Sequence, residues 1–278
     1  MKETTHSSRP KTVIGVKVRS RHLPTWFTEI IRVSLNRLFG FTQFNELYYN
    51  LPEHDNIGLS GALLDALNIK LELLGEPLNS YPDTEPLLFV ANHPYGLADG
   101  LALDHLITPI RTDAKMLGMY VLRDIPEFHN RILLVDPLKK RSRQSLNSQS
   151  WRQAYKLVSS GGALGVFPGA SVSRYQWDRK MVADEDWSPH VSIFARRAKA
   201  TVVPIFIHGR NSLWFQFLGL ISYTLQFTTL FNEFMKLKGR TLSITFGKPI
   251  PAESWQHISD NTELTNYFRA HTDALSQS

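Results

Sequence analysis

No cysteine occurs in the 278 residues, which excludes disulfides, thiolate nucleophiles and cysteine-bound zinc and gives no sign of an oxidising compartment. The G-x-S-x-G elbow of a serine hydrolase is missing. No His pair has the HExxH spacing, so neither a metal nor a bound cofactor is expected. Aromatic RNP runs and zinc-finger spacings are also wanting, which argues against nucleic acid as a partner. The first 24 residues hold no continuous apolar segment of the kind a signal peptide needs. Internal repeats and low-complexity tracts are absent as well.

What remains suits one packed domain, with 42% hydrophobic residues and a net charge of +6. The positive balance favours an acidic partner, either an anionic membrane surface or a phosphate-bearing substrate or carrier. Lys2, Arg9, Lys11, Lys17, Arg19 and Arg21 make residues 1–24 a basic arm, expected to be mobile and attracted to anionic lipid. A second basic cluster, Lys139, Lys140, Arg141 and Arg143, is either a solvated face or a docking patch for the phosphates of coenzyme A or the acidic surface of an acyl carrier protein.

Hydrophobic spacing predicts an amphipathic helix from Trp26 to Leu38 and a second from Leu63 to Leu74, ended by Gly75. Further along, short apolar runs alternate with helical patterns. The runs are LLFVA, MLGMYVL, RILLVDP, ALGVF, TVVPIFI and TLSITFG, and helices are expected over about Gly100–Leu106, Gln144–Ser159 and SPHVSIFARRAKA. This alternation predicts an α/β fold with a mostly parallel central sheet flanked by helices, preceded by N-terminal amphipathic helices. Residues 213–231 carry no formal charge and six aromatics. Their glutamines, serines and threonines argue against a membrane span and leave a buried pocket segment or an interfacial one.

The stretch FVANHPYGLADG brings Asn92, His93 and Asp99 together just after an apolar strand, where an α/β sheet carries its reactive loops. A carboxylate that fixes one imidazole nitrogen leaves the other free to take a proton, so such a pair can activate a hydroxyl. Spacing alone is equally compatible with a structural turn. His208 and Arg210 follow another predicted strand and are candidates for the same pocket.

NHPYGLADG resembles the His–Asp loop of the glycerolipid (lysophospholipid) acyltransferase family, the 1-acylglycerol-3-phosphate acyltransferase-like group, and most closely its bacterial hemolysin-like branch. Three more segments resemble family blocks in the family order: GVFPGASVSR at 165–174, VVPIFIHGRN at 202–211 and ITFGKPI at 244–250. The resemblance implies a single acyltransferase domain over 25–278, with a helical part at 25–75 and a catalytic core at 86–250. It implies that His93 is the general base that deprotonates an acceptor hydroxyl as this attacks a thioester, with Asp99 as its orienting partner. The acyl donor would be acyl-CoA or acyl carrier protein, a co-substrate rather than a cofactor. The acceptor would be a lysolipid, either a lysophospholipid or a lyso-aminolipid. The enzyme would sit peripherally on the cytoplasmic face of the membrane.

By the same resemblance Asn92, Phe167, Pro168, Gly169 and Ser171 belong to the substrate-binding set, and Arg123 is the match for a cation that contacts the acceptor headgroup. Two departures stand out. Five residues separate His93 from Asp99 where the common pattern has four, a difference that Gly96 could absorb with a positive φ. Asp104 is a fallback partner for the histidine. The family continues its Phe-Pro turn with Glu-Gly-Thr-Arg, whereas this chain has Gly169, Ala170, Ser171 and Val172, which sets a phosphate headgroup in doubt unless Arg174 or nearby backbone amides take over. Hydrolysis of a thioester or lipid by the same pair, and non-catalytic membrane binding, are the alternatives.

Overall fold

The computed structural model describes residues 9–18, 20, 22–52, 58–136 and 144–277. Its middle layer is a seven-stranded sheet in the order β1 (Lys70–Gly75), β9 (Thr241–Phe246), β8 (Thr201–Ile207), β2 (Leu87–Ala91), β5 (Ala163–Val166), β3 (Lys115–Met119), β4 (Ile132–Val135). Within this sheet β8 and β9 pair antiparallel, and the other neighbours pair parallel. The mostly parallel α/β architecture expected from the sequence is therefore the one observed.

Central strand β2 shows why its apolar run is continuous. All five residues are buried, with Leu87, Phe89 and Ala91 packed on one side and Leu88 and Val90 on the other. Helices α2 (Phe41–Asn50), α3 (Leu59–Ala66) and α4 (Leu97–Ile107) cover the first face through Phe44, Tyr48, Leu63 and Leu101. Helices α5 (Gln144–Ser159), α6 (His190–Ala198) and α10 (Asn261–Ala274) cover the second through Val158, Phe194 and Phe268. Each such side chain contributes about 1.5–3 kcal/mol on burial.

Several expectations are corrected. The helix foreseen over Leu63–Leu74 is split: α3 stops before Asn68, which takes a left-handed φ of 50°, and the chain continues as edge strand β1. Asn tolerates that conformation and ends helices this way. The following Ile69-Lys70-Leu71-Glu72 alternates with the period of a strand. Helix α4 begins at Leu97, not near Gly100, so Asp99 belongs to its first turn. Helix α10 and the small antiparallel hairpin of β6 (Arg174–Gln176) and β7 (Met181–Ala183) had no counterpart in the sequence reading.

The N-terminal segment also differs from a free arm. Arg9 is buried, 2.7 Å from Glu127 Oε1, and donates to the carbonyls of Leu51 and Pro52. Val13 and Ile14 are part of the core, and both donate backbone N–H groups to Asn45 Oδ1. Helix α1 (Thr25–Leu38) forms where expected, but its apolar stripe points outward: Trp26, Phe27, Ile30 and Val33 are exposed, while Asn36 is the buried residue. Residues 213–231 fold into α7 (Leu213–Ile221), α8 (Tyr223–Thr228) and the start of α9 (Leu230–Met235). Among the described residues no helix is long and apolar enough to cross a membrane.

Candidate active site

Strands β2, β5 and β8 lie side by side and parallel, so the loops after their carboxyl ends meet on one edge. His93 follows β2, Phe167 follows β5 and His208 follows β8. The loop after β2 turns sharply at Gly96, whose φ is +83°. A Cβ there would come within 2.8 Å of Leu230 and 3.0 Å of Val172, so glycine is required by both conformation and space. The extra residue between His93 and Asp99 is accommodated by this turn.

Asp99, fully buried in the first turn of α4, gathers three groups on Oδ2. The backbone N–H groups of Tyr95 and Gly96 donate at 2.8 Å each, and His93 Nδ1 stands 3.0 Å away. The imidazole's approach is oblique rather than aligned, a common state for a pair that tightens around its substrate. Burial pushes the Asp99 carboxyl above the usual carboxylate range, with His93 and the two backbone donors pulling against that rise. Phe167 stacks on the His93 ring, centroids 4.0 Å apart and planes 21° from parallel.

His93 opens onto a narrow apolar cleft closed over by Phe215, Tyr223, Gln226, Phe227 and Leu230 from α7, α8 and α9. The room left in it for the centre of a water-sized sphere is about 10 Å³, enough for about one water molecule. Burial pushes the Tyr223 hydroxyl up to about 12. An imidazole held by a carboxylate beside so narrow a cleft can accept a proton from a hydroxyl bound there.

A second buried carboxylate, absent from the sequence candidates, organises the same loops. Asp184 accepts from the His93 backbone N–H at 3.1 Å, from the Ser173 hydroxyl and from Trp187 Nε1 at 3.0 Å. Ser173 in turn donates its backbone N–H to the His93 carbonyl at 2.8 Å. Gly169, where the family pattern has Glu, leaves space for Asp184: a Cβ at 169 would lie 3.2 Å from its Oδ2. Ala170 occupies the family's glycine position with a φ of 59° and lines the cleft.

Other sequence candidates fall elsewhere. The Asn92 carboxamide is fully engaged with the Ile207 backbone, donating to its carbonyl at 2.9 Å and accepting from its N–H at 2.7 Å, so it ties β2 to β8 instead of facing a substrate. Asp104, the fallback partner, is paired with Arg131 at 2.9 Å and bound by Ser60. Arg123 is an exposed arginine paired with Asp124 and lying over Tyr120. Arg174 is ion-paired with Glu185 and lies close enough to bias Tyr223. His208 is fixed to Thr245 at 2.8 Å, and Arg210 is exposed on the same loop. Pro168 accepts from the Ser188 N–H, and Ser171 is buried in the turn against the Gly169 carbonyl. Lys139, Lys140, Arg141 and Arg143 lie outside the described residues.

A buried His–Asp pair on the carboxyl edge of an α/β sheet, beside a narrow apolar cleft, defines a class of sites suited to base-assisted group transfer. Comparison with known families narrows that class: residues 20–278 match the family model described as Acyltransferase, and the chain belongs to that family. It is similar to a lyso-glycine lipid O-acyltransferase of Bacteroides thetaiotaomicron, 27% identical over 215 residues that cover 75% of this chain and 76% of that protein. A lyso-glycine lipid O-acyltransferase of Phocaeicola vulgatus is 29% identical over 206 residues, covering 70% and 68%. Among solved structures, the 1-acyl-sn-glycerophosphate acyltransferase PlsC of Thermotoga maritima aligns over 90% of this chain and 96% of its own, with 16% identity and a TM-score of 0.48.

Proposed function

We propose that this acyltransferase moves a fatty acyl group from acyl-CoA or acyl carrier protein to the hydroxyl of a lysolipid, and that the acceptor is of the lyso-aminolipid type. One observation carries the chemistry: His93 Nδ1 stands 3.0 Å from the buried Asp99 carboxylate while the ring lines an apolar cleft. The free Nε2 takes the acceptor's hydroxyl proton as the oxygen forms its bond to the thioester carbonyl carbon. Collapse of the tetrahedral intermediate breaks the carbon–sulfur bond. The departing thiolate recovers the proton from the imidazolium, leaving an ester, a thiol and neutral His93. Asp99 keeps Nδ1 as the protonated nitrogen and stabilises the transient cation. Holding donor and acceptor together supplies much of the acceleration.

The acceptor assignment is supported by the two similar lyso-glycine lipid O-acyltransferases and by the uncharged residues at 169 and 172. Two exposed apolar faces support work at a bilayer surface: Trp26, Phe27 and Ile30 on α1, and Leu213, Trp214 and Phe217 on α7. A cytoplasmic, peripheral position fits the acyl donors.

The test is to incubate the purified protein with labelled acyl-CoA or acyl carrier protein and a panel of lyso-aminolipids and lysophospholipids, and to identify products by mass spectrometry. Esterified lyso-aminolipid is expected, together with a loss of about 10²–10⁴-fold in His93→Ala. Fatty acid release that is indifferent to acceptor, or full turnover by the His93 variant, would defeat the proposal.

A further inference from the structure

Gln226 has no task in holding the fold together that its surroundings reveal. Its side chain is 1% exposed and lines the cleft beside His93, yet both its Nε2 and its Oε1 lack a hydrogen-bond partner among the described residues. A buried carboxamide with neither donor nor acceptor engaged is costly, and such a group calls for an explanation. Gln216 also has an unpartnered Nε2, but its Oε1 accepts the Tyr175 N–H at 3.0 Å and so fixes β6.

The surrounding architecture makes room for the group. The carboxamide lies over Gly219 of α7, where an added Cβ would come within 2.6 Å of Nε2 and 2.8 Å of Cδ. Any larger residue at 219 would push it away. Around it the cleft is apolar, with Met119, Val172, Phe215 and Leu230 as walls. A neutral carboxamide offers a carbonyl acceptor for an amide N–H and N–H donors for a carbonyl. It offers nothing to neutralise a phosphate. Arg174, the nearby cation, is already paired with Glu185.

We infer that Gln226 reads an amide in the acceptor lipid: its Oε1 accepts the amide N–H, a donor that an ester lacks, which selects amide-linked lysolipids over ester-linked ones. The inference rests on the cleft beside His93 being the acceptor's seat and on its widening, from the room of about one water molecule, to admit it. Gln226 would be a specificity-determining residue; it moves no proton.

Binding without turnover tests this apart from the transfer reaction. N-palmitoylglycine and the ester isostere in which oxygen replaces its N–H, both below their micellar concentrations, are titrated into the full chain and followed by tryptophan fluorescence. Wild type is expected to bind the amide about tenfold more tightly than the ester, the scale of a neutral hydrogen bond in a dry site. Gln226→Leu should bind the two equally. Its melting temperature should stay level or rise, because an unpaired amide has been replaced by an apolar side chain of similar length. Equal binding of the two ligands by wild type, or a preference that survives in Gln226→Leu, would overturn the inference. Either result leaves the transfer assay of the preceding section to stand or fall by itself.

Discussion

Asp184 offers a quantitative test of how the His93 loop is held. Its Oδ1 serves the His93 N–H and the Ser173 hydroxyl, and its Oδ2 serves Trp187 Nε1 at 3.0 Å. Asp184→Asn preserves shape but turns one acceptor into a donor. The amide settles best with its oxygen toward His93 and Ser173, leaving its NH₂ facing the indole N–H. One charge-assisted hydrogen bond is lost and two donors meet, at a cost of about 1.5–3 kcal/mol. For a chain of this length that is a fall in melting temperature of about 3–6 °C. Trp187→Phe removes the opposing donor, so adding Asp184→Asn to it should cost less than in wild type, with a coupling of about 1–2 kcal/mol. Calorimetry of the four proteins gives the cycle, and turnover should fall by less than about tenfold because the His93 contact survives. Costs that simply add, within about 0.5 kcal/mol, would refute the account of Asp184 as the shared acceptor.

Asp99→Asn should keep the fold while stopping the chemistry. The oxygen of an asparagine can still accept from Tyr95 and Gly96, and no charge needs to be buried. Because burial holds the folded carboxyl above its unfolded value, the folded state binds the proton more tightly. The stabilisation this gives is complete at acid pH and is lost as pH rises through the raised value. The melting temperature of the variant relative to wild type should therefore climb as pH rises above about 4, while turnover drops by about 10²–10⁴-fold; a difference that stays level or falls with rising pH would contradict this. Arg9→Ala leaves the buried Glu127 carboxylate with the Tyr48 hydroxyl but without its cation and should cost about 3 kcal/mol, seen as a clear fall in the denaturant midpoint, whereas a free arm would register nothing. Replacing Trp214 and Phe217 together by serine removes two half-exposed aromatics from α7. Sedimentation with anionic vesicles should show binding weakened by about tenfold or more, and unchanged partitioning would exclude α7 from the membrane face.

The His93–Asp99 pair and the turn at Gly96 were readable because all of their geometry is local: a strand end, a glycine and a helix start within eleven residues of chain. Leu63–Leu74 was misread because leucines at helical spacing outweighed Asn68 and the alternation after it, and only pairing with distant β9 makes that segment a strand. Asn92 looked like a site residue because it adjoins His93, but its partner Ile207 lies 115 residues away. Asp184 was hidden for a related reason. Its run Asp184-Glu185-Asp186 reads as a solvated acidic loop, and its acceptor role depends on His93, 91 residues distant. In residues 213–231 the glutamines argue against a membrane span and say nothing more by themselves. The sequence could not show that Gln226 turns inward while Leu213 and Trp214 face out.

The stack of Phe167 on His93 has a consequence for the cycle proposed above. The phenyl face lies 4.0 Å from the imidazole and 21° from parallel, so it limits rotation of the ring about its Cβ–Cγ bond. A residue with no ionisable atom thereby helps keep one nitrogen turned to Asp99 and the other to the cleft.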